Sequence, residues 1–164
     1  MDVLFINPGN ATGIYQDLAE DYSAIEPPTW SLLLAESCRS VGYKVGIIDA
    51  NAEKLSLQTV ADKVKKYNPR LICLVVYGQN VNAGTTNMSG AVAIAASIKE
   101  NNIKIPISMV GSYIQALPIK TLNDEKCIDF GFTNEGVYAL RNILSLNNIS
   151  EESIKDINWA TAPR

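Results

Sequence analysis

Four segments concentrate the groups that can grip a polar ligand. Asn7-Pro8-Gly9 opens the first, which runs to about Pro27 and also carries Asn10, Thr12, Gly13, Tyr15 and Tyr22. The second is Tyr77-Gly78-Gln79-Asn80-Val81-Asn82-Ala83-Gly84-Thr85-Thr86-Asn87; the third is Val110-Gly111-Ser112-Tyr113, and the fourth Thr133-Asn134-Glu135-Gly136. Amides and hydroxyls both donate and accept hydrogen bonds, and glycine lets a ligand come close to the main chain. This is an inventory for binding. The chain has no histidine, which removes the commonest general base, the commonest metal ligand and any Ser-His-Asp or Cys-His arrangement. Cys38, Cys73 and Cys127 stand far apart in apolar surroundings, form neither a CxxC pair nor a disulfide framework, and read as buried free thiols. No side chain of the chain is read as catalytic or as a metal ligand, so any chemistry must come from a bound cofactor or from another domain.

The elements that must position these segments show in the apolar pattern. Five short runs alternate with helical stretches: Val3 to Ile6, Val45 to Ile48, Leu71 to Val76, Ile105 to Val110 and Ile128 to Phe132. The third is apolar throughout, as expected of a central parallel strand covered on both faces. Between the runs, Pro28 suits a first helical turn, with Trp30, Leu33, Leu34, Cys38 and Val41 following until Gly42 stops the helix. Ser56 caps a second helix, and Leu57, Val60, Ala61 and Val64 form one face before Asn68-Pro69 ends it. A third carries Ala91, Ile94, Ala95 and Ile98, a short fourth spans about Gln115 to Leu122, and a fifth uses Ala139, Leu140, Ile143 and Leu144. Strand-helix alternation with right-handed crossovers gives a doubly wound, flavodoxin-like (Rossmann-like) α/β domain with a five-stranded parallel sheet of order 2-1-3-4-5. Ligands of such sheets bind beyond the carboxyl ends of the strands, where all four polar segments fall. Strand-helix loops are usually about 2–6 residues, and the Asn7–Pro27 and Tyr77–Asn87 stretches are expected to be longer ones. Gly111 marks either close approach of a ligand or a tight turn, and Glu135 beside the last helix favours that helix's dipole.

At 164 residues, 47% hydrophobic and 19% charged, the chain suits one globular domain rather than two, and argues against disorder. A net charge of −3 offers no basic footprint, so no nucleic-acid partner is expected. No apolar run approaches the roughly 20 residues that cross a bilayer, and the acidic start Met1-Asp2 is unlike a signal peptide. No membrane association is expected, and the cytoplasm is the expected compartment. Residues 147–164 are polar and weakly patterned, and read as a linker after a domain of residues 1–146.

Several segments together resemble one family. Glu26-Pro27-Pro28-Thr29-Trp30-Ser31-Leu32-Leu33-Leu34-Ala35, then Gly42-Tyr43-Lys44-Val45 and Ile47-Ile48-Asp49-Ala50, resemble the pattern after strand one in the cobalamin (B12)-binding N-terminal domain of B12-dependent radical SAM proteins. Val76 to Gln79 and Thr86-Asn87-Met88 resemble a loop of one subgroup. Val110-Gly111-Ser112, Ala116-Leu117-Pro118 and Thr121-Leu122 are similar to "GG…ALP…TL", and Asp129-Phe130 with Asn134-Glu135-Gly136 to "DF…GEG". The likeness runs in order over roughly residues 1–146.

That resemblance implies a cobalamin at the carboxyl edge, its nucleotide tail between the sheet and neighbouring helices and its dimethylbenzimidazole displaced from cobalt. Carried over by position, Asn7, Pro8, Gly9, Tyr77, Gly78, Gln79, Asn80, Gly84, Thr85 and Thr86 face the corrin. Gly111, Ser112, Tyr113, Asn134, Glu135 and Gly136 lie toward the tail. It also implies a radical SAM domain, in cis or in trans, holding S-adenosylmethionine and a 4Fe-4S cluster and making a methyltransferase-type enzyme. The chain departs from the pattern in places. It lacks the Asp-x-His-x-x-Gly of many B12 modules, has Ser112 for the second glycine of the usual pair, and has no CxxxCxxC. It is therefore not catalytic alone. A scaffold descendant that keeps the fold for protein contacts is one alternative, and a binder of flavin or nucleotide another. Against the nucleotide stand the missing GxGxxG and P-loop patterns.

Overall fold

The computed structural model describes residues 1–9, 25, 27–78 and 81–162. Five parallel strands, β1 (Val3–Asn7), β2 (Val45–Asp49), β3 (Leu71–Val76), β4 (Ile107–Gly111) and β5 (Phe130–Phe132), follow one another in the order 2-1-3-4-5. A sixth, β6 (Ala160–Thr161), lies antiparallel on the outer side of β5. The helices among the described residues are α1 (Thr29–Arg39), α2 (Leu57–Tyr67), α3 (Val81–Glu100), α4 (Ser112–Ala116), α5 (Pro118–Asp124), α6 (Val137–Leu144) and α7 (Glu151–Ile154).

Side-chain alternation along the strands builds two cores, one on each face. Leu4, Ile6, Ile72, Leu74, Val76 and Met109 pack with Val60, Ala61 and Val64 of α2 and Ala91, Ile94, Ala95 and Ile98 of α3. Val3, Phe5, Leu71, Cys73, Val75 and Phe130 pack with Leu34 and Cys38 of α1 and Leu140 and Ile143 of α6. β3 is buried at every residue, which is why its sequence runs apolar without alternation. Burying each such large side chain stabilises the fold by about 1.5–3 kcal/mol. Helix ends obey local chemistry: the Ser56 hydroxyl accepts from the Thr59 amide at 3.1 Å, and Asn68 leaves α2 with φ 42°.

Four features differ from the sequence reading. The expected Tyr77–Asn87 loop is short, because α3 already begins at Val81. Asn82, Gly84 and Asn87 are weak helix formers, but Gly84 and Met88 are buried against neighbouring elements, and that packing outweighs propensity. The expected fourth helix is two helices, broken at Leu117 (φ −133°) just before Pro118, which starts the second. On α1 the inward stripe is Ser31, Leu34, Ala35 and Cys38, so Trp30 and Leu33 turn outward. Finally, part of the stretch read as a linker folds onto the domain. Ile154 is buried, Ile149 and Ile157 pack beside it, and the Thr133 amide donates to the Trp159 carbonyl at 2.8 Å. Three isoleucines spaced through a polar tail are too sparse to show a period.

Candidate cofactor-binding site

All parallel strands end on the same edge, and their register sets neighbours there. Asn7 lies beside Asp49, and Val76 beside Gly111. The Asn7 side-chain amide donates to Asp49 Oδ1 at 2.9 Å, and the Ala52 amide donates to the same oxygen at 3.0 Å. Pro8 is buried, and a Cβ on Gly9 would stand 2.8 Å from the Asn51 Cα. The exit of β1 is thus pressed onto the turn after β2. Glycine at position 9 is needed for that contact.

Gly111 resolves in favour of close backbone approach within the protein. Its φ is +153°, and a Cβ there would lie 2.1 Å from the Val76 carbonyl oxygen. Gly84 fits a similar niche, where a Cβ would lie 2.5 Å from Ser112 Oγ. Ser112 is half-buried at the start of α4, and Tyr113 packs against the α2–α3 core. Asn134 Oδ1 accepts from the Gly136 amide at 2.9 Å, closing a small turn that places Gly136 (φ +79°) as the cap of α6. Glu135 is exposed just before that cap.

Tyr77 is the centre of a cluster that spacing did not reveal. Its ring stacks on Trp30 with centroids 4.4 Å apart and planes 24° apart, and its hydroxyl accepts from Gln115 Nε2 at 2.6 Å. Burial first, and the Glu135 charge second, push the phenol up to about 12, with the Gln115 hydrogen bond acting against them. Tyr77 is therefore a neutral hydrogen-bonding group at any physiological pH. Trp30 and Gln115 are additions to the site; an aromatic in the first turn of a helix and a tyrosine just after a central strand were the available signal. A cavity of about 250 Å³ adjoins the same edge between Gly9, Ala50, Leu55 and the Ser89, Gly90 and Ala93 stretch of α3. A smaller one of about 140 Å³, lined by Lys99, Lys104, Asp129 and Ile154, lies at the opposite end of the strands. Gln79, Asn80, Asn10, Thr12, Gly13, Tyr15 and Tyr22 lie outside the described residues, and Thr85 and Thr86 fall in the first turns of α3.

The thiols are not reactive groups. Burial pushes Cys38 up to about 11 and Cys73 up to about 12, far from the thiolate form that reacts or binds metal. Among the described residues no three Cys, Asp or Glu side chains gather in a way that would hold a metal ion. Nor is any described helix long and apolar enough to cross a membrane.

One buried group bears on what the edge can hold. Ser31, in the first turn of α1 and therefore at the carboxyl end of the sheet, is 0% exposed, and its hydroxyl has no hydrogen-bond partner. An orphaned hydroxyl at an edge that also carries a stacked Trp-Tyr pair, a Gln115 amide bonded to the Tyr77 phenol and glycine-bearing turns fits a large ligand rich in amides.

A fold and an edge of this kind define a cofactor-binding α/β module, and the comparisons give its family. The model of the B12 binding domain matches residues 15–144, so the chain belongs to the B12-binding domain family. Among curated proteins it is similar to an uncharacterized methyltransferase of Pyrococcus horikoshii, 27% identical over 118 residues, which are 72% of this chain and 24% of the relative. Among solved structures it is similar to the radical S-adenosylmethionine methyltransferase TsrM from Kitasatospora setae, with cobalamin and a 4Fe-4S cluster bound. That match has a TM-score of 0.69 at 14% identity, and covers 98% of this chain and 27% of TsrM. The cobalamin-dependent S-adenosylmethionine radical enzyme OxsB, with aqua-cobalamin and S-adenosylmethionine bound, is similar at a TM-score of 0.63 and 16% identity, over 97% of this chain and 20% of OxsB. This chain spans about a quarter of the length of the relatives it matches.

Proposed function

We propose that this domain holds cobalamin over the carboxyl edge of its sheet, as the cofactor module of a B12-dependent radical SAM enzyme of methyltransferase type. The observation that carries the reading is the family match over residues 15–144, which takes in every described strand of the parallel sheet except β1. The radical SAM domain, with S-adenosylmethionine and a 4Fe-4S cluster, would be supplied in the same polypeptide or by a partner, in the cytoplasm. When bound, cobalamin supplies a cobalt centre for one-carbon transfer. The chain's own residues bind and orient it. Asn7, Pro8, Gly9, Tyr77, Gly78, Gln79, Asn80, Gly84, Thr85 and Thr86 border the corrin, and Gly111, Ser112, Tyr113, Asn134, Glu135 and Gly136 border the tail. No imidazole can come from this chain, since it has no histidine.

The test is direct. Purified protein mixed with hydroxocobalamin and desalted should stay coloured, with an absorption spectrum that lacks nitrogen-ligated cobalt. Gly78→Val should weaken retention more than Lys63→Ala, a change on the face of α2 where Lys63 pairs with Glu53 at 2.9 Å. A colourless fraction would sink the cofactor reading and leave a scaffold for protein contacts.

A further inference from the structure

Hydroxyls buried in this protein find acceptors, with one exception among the described residues. Ser108 Oγ donates to the Ile72 carbonyl at 3.0 Å, and Thr121 Oγ1 to the Leu117 carbonyl at 2.7 Å. A serine inside a helix normally satisfies itself in the same way, on the carbonyl three or four residues back. For Ser31 neither carries such a bond. The Pro27 carbonyl accepts from the Thr29 amide at 2.7 Å and the Thr29 hydroxyl at 3.3 Å, and the Pro28 carbonyl accepts from the Leu32 amide at 3.0 Å. Ser31 is left 0% exposed and unpaired on the inward stripe of α1. Leaving such a group unpaired is unfavourable, and alanine would avoid it.

The next residue back is Trp30, whose ring lies on Tyr77, and Tyr77 is in turn pinned by Gln115. The orphan thus sits at the carboxyl edge, in the same first turn of α1 as one member of a stacked pair that a hydrogen bond holds in place. We propose that Ser31 is a ligand-binding residue, its hydroxyl donating to an oxygen acceptor of cobalamin, and that the Trp30–Tyr77 stack covers the approach to it until ligand enters. This rests on the cobalamin reading above and adds a residue and a cover to it.

The experiment pairs stability with binding. In Ser31→Ala without ligand, loss of an unpaired buried hydroxyl should raise Tm by about 3 °C. In the same variant hydroxocobalamin should bind about tenfold more weakly, through faster release, because one hydrogen bond to the ligand is gone. These opposite signs distinguish a ligand donor from a structural serine. Tyr77→Phe keeps the ring and drops the Gln115 bond, and should speed uptake of hydroxocobalamin severalfold. Ser31→Ala binding within twofold of the parent overturns the role of Ser31, whatever its Tm, and includes the case where a trapped water was the only partner. Uptake no faster in Tyr77→Phe overturns the cover. Failure of the unaltered protein to bind is a different outcome, and removes the cofactor reading together with this extension of it.

Discussion

Replacing Gly111 with alanine tests whether the end of β4 is built as described. Two costs arise there. A residue with a side chain is strained at φ +153°, at about 1–3 kcal/mol. In addition, the new Cβ would stand 2.1 Å from the Val76 carbonyl oxygen and 2.7 Å from its carbon. Both atoms are backbone at the end of a central strand, so relief requires β3 and β4 to part where Val76 and Gly111 are paired. Overpacking of this kind costs about 1–3 kcal/mol more. Together the loss should be about 4 kcal/mol, or about 12 °C in Tm for a domain of this size. Gly42→Ala is the matched control. Gly42 also has positive φ (+99°), but nothing lies within 4 Å of its would-be Cβ, so only strain remains, about 1 kcal/mol after the gain from a stiffer unfolded chain. Urea unfolding of both variants, with slopes compared to exclude altered compactness, gives the difference. Equal losses would refute the contact with Val76, and with it the account of why glycine stands at that position. Measured well below its Tm, Gly111→Ala should also retain less hydroxocobalamin than Gly42→Ala, since the β4 end borders the proposed tail site.

Alkali should unfold this domain early. Tyr77, Cys38 and Cys73 all have raised values in the fold, pushed up mainly by burial to about 12, 11 and 12. An acid whose value is higher folded than unfolded contributes stability that is complete below its unfolded value and is lost as pH rises through the folded one. Tm should hold to about pH 8 and fall steadily above it as the thiols and then the phenol ionise; a Tm flat to pH 11 would contradict the burial of all three. Asp49→Ala removes the acceptor of both the Asn7 amide and the Ala52 amide. It should cost about 2 kcal/mol in urea unfolding at neutral pH, and a loss under 0.5 kcal/mol would show that solvent replaces both bonds.

The sheet was legible because its five parallel strands are apolar runs separated by helices with ordinary caps, as Ser56 and Asn68 show. Even the order is the flavodoxin-like one expected for five such strands. What escaped was what depends on tertiary contact. The first turns of α3 read as loop because Asn82, Gly84 and Asn87 favour none of the regular structures, whereas Gly84 and Met88 are buried there in the folded chain. β6 is two residues long and pairs with β5 from a distant tail, leaving no local pattern. In the site, the glycines and amides were visible as types, but not their tasks. Gly9 and Gly111 turn out to serve contacts of the protein with itself. Ser31 was part of a family motif, and that its buried hydroxyl stands unpaired shows only in the folded chain.

The short β6 also decides where this domain can safely be cut. Without it, β5 would present a free ladder of amides and carbonyls, flanked by Phe130 and Phe132, to any passing strand. A chain ended after Leu146, where the main run of helices stops, would bare that border and lose the buried Ile154 besides. Such a fragment would be prone to join copies of itself edge to edge. Kept through Thr161, the same border is closed by a strand too brief to recruit a neighbour in its turn.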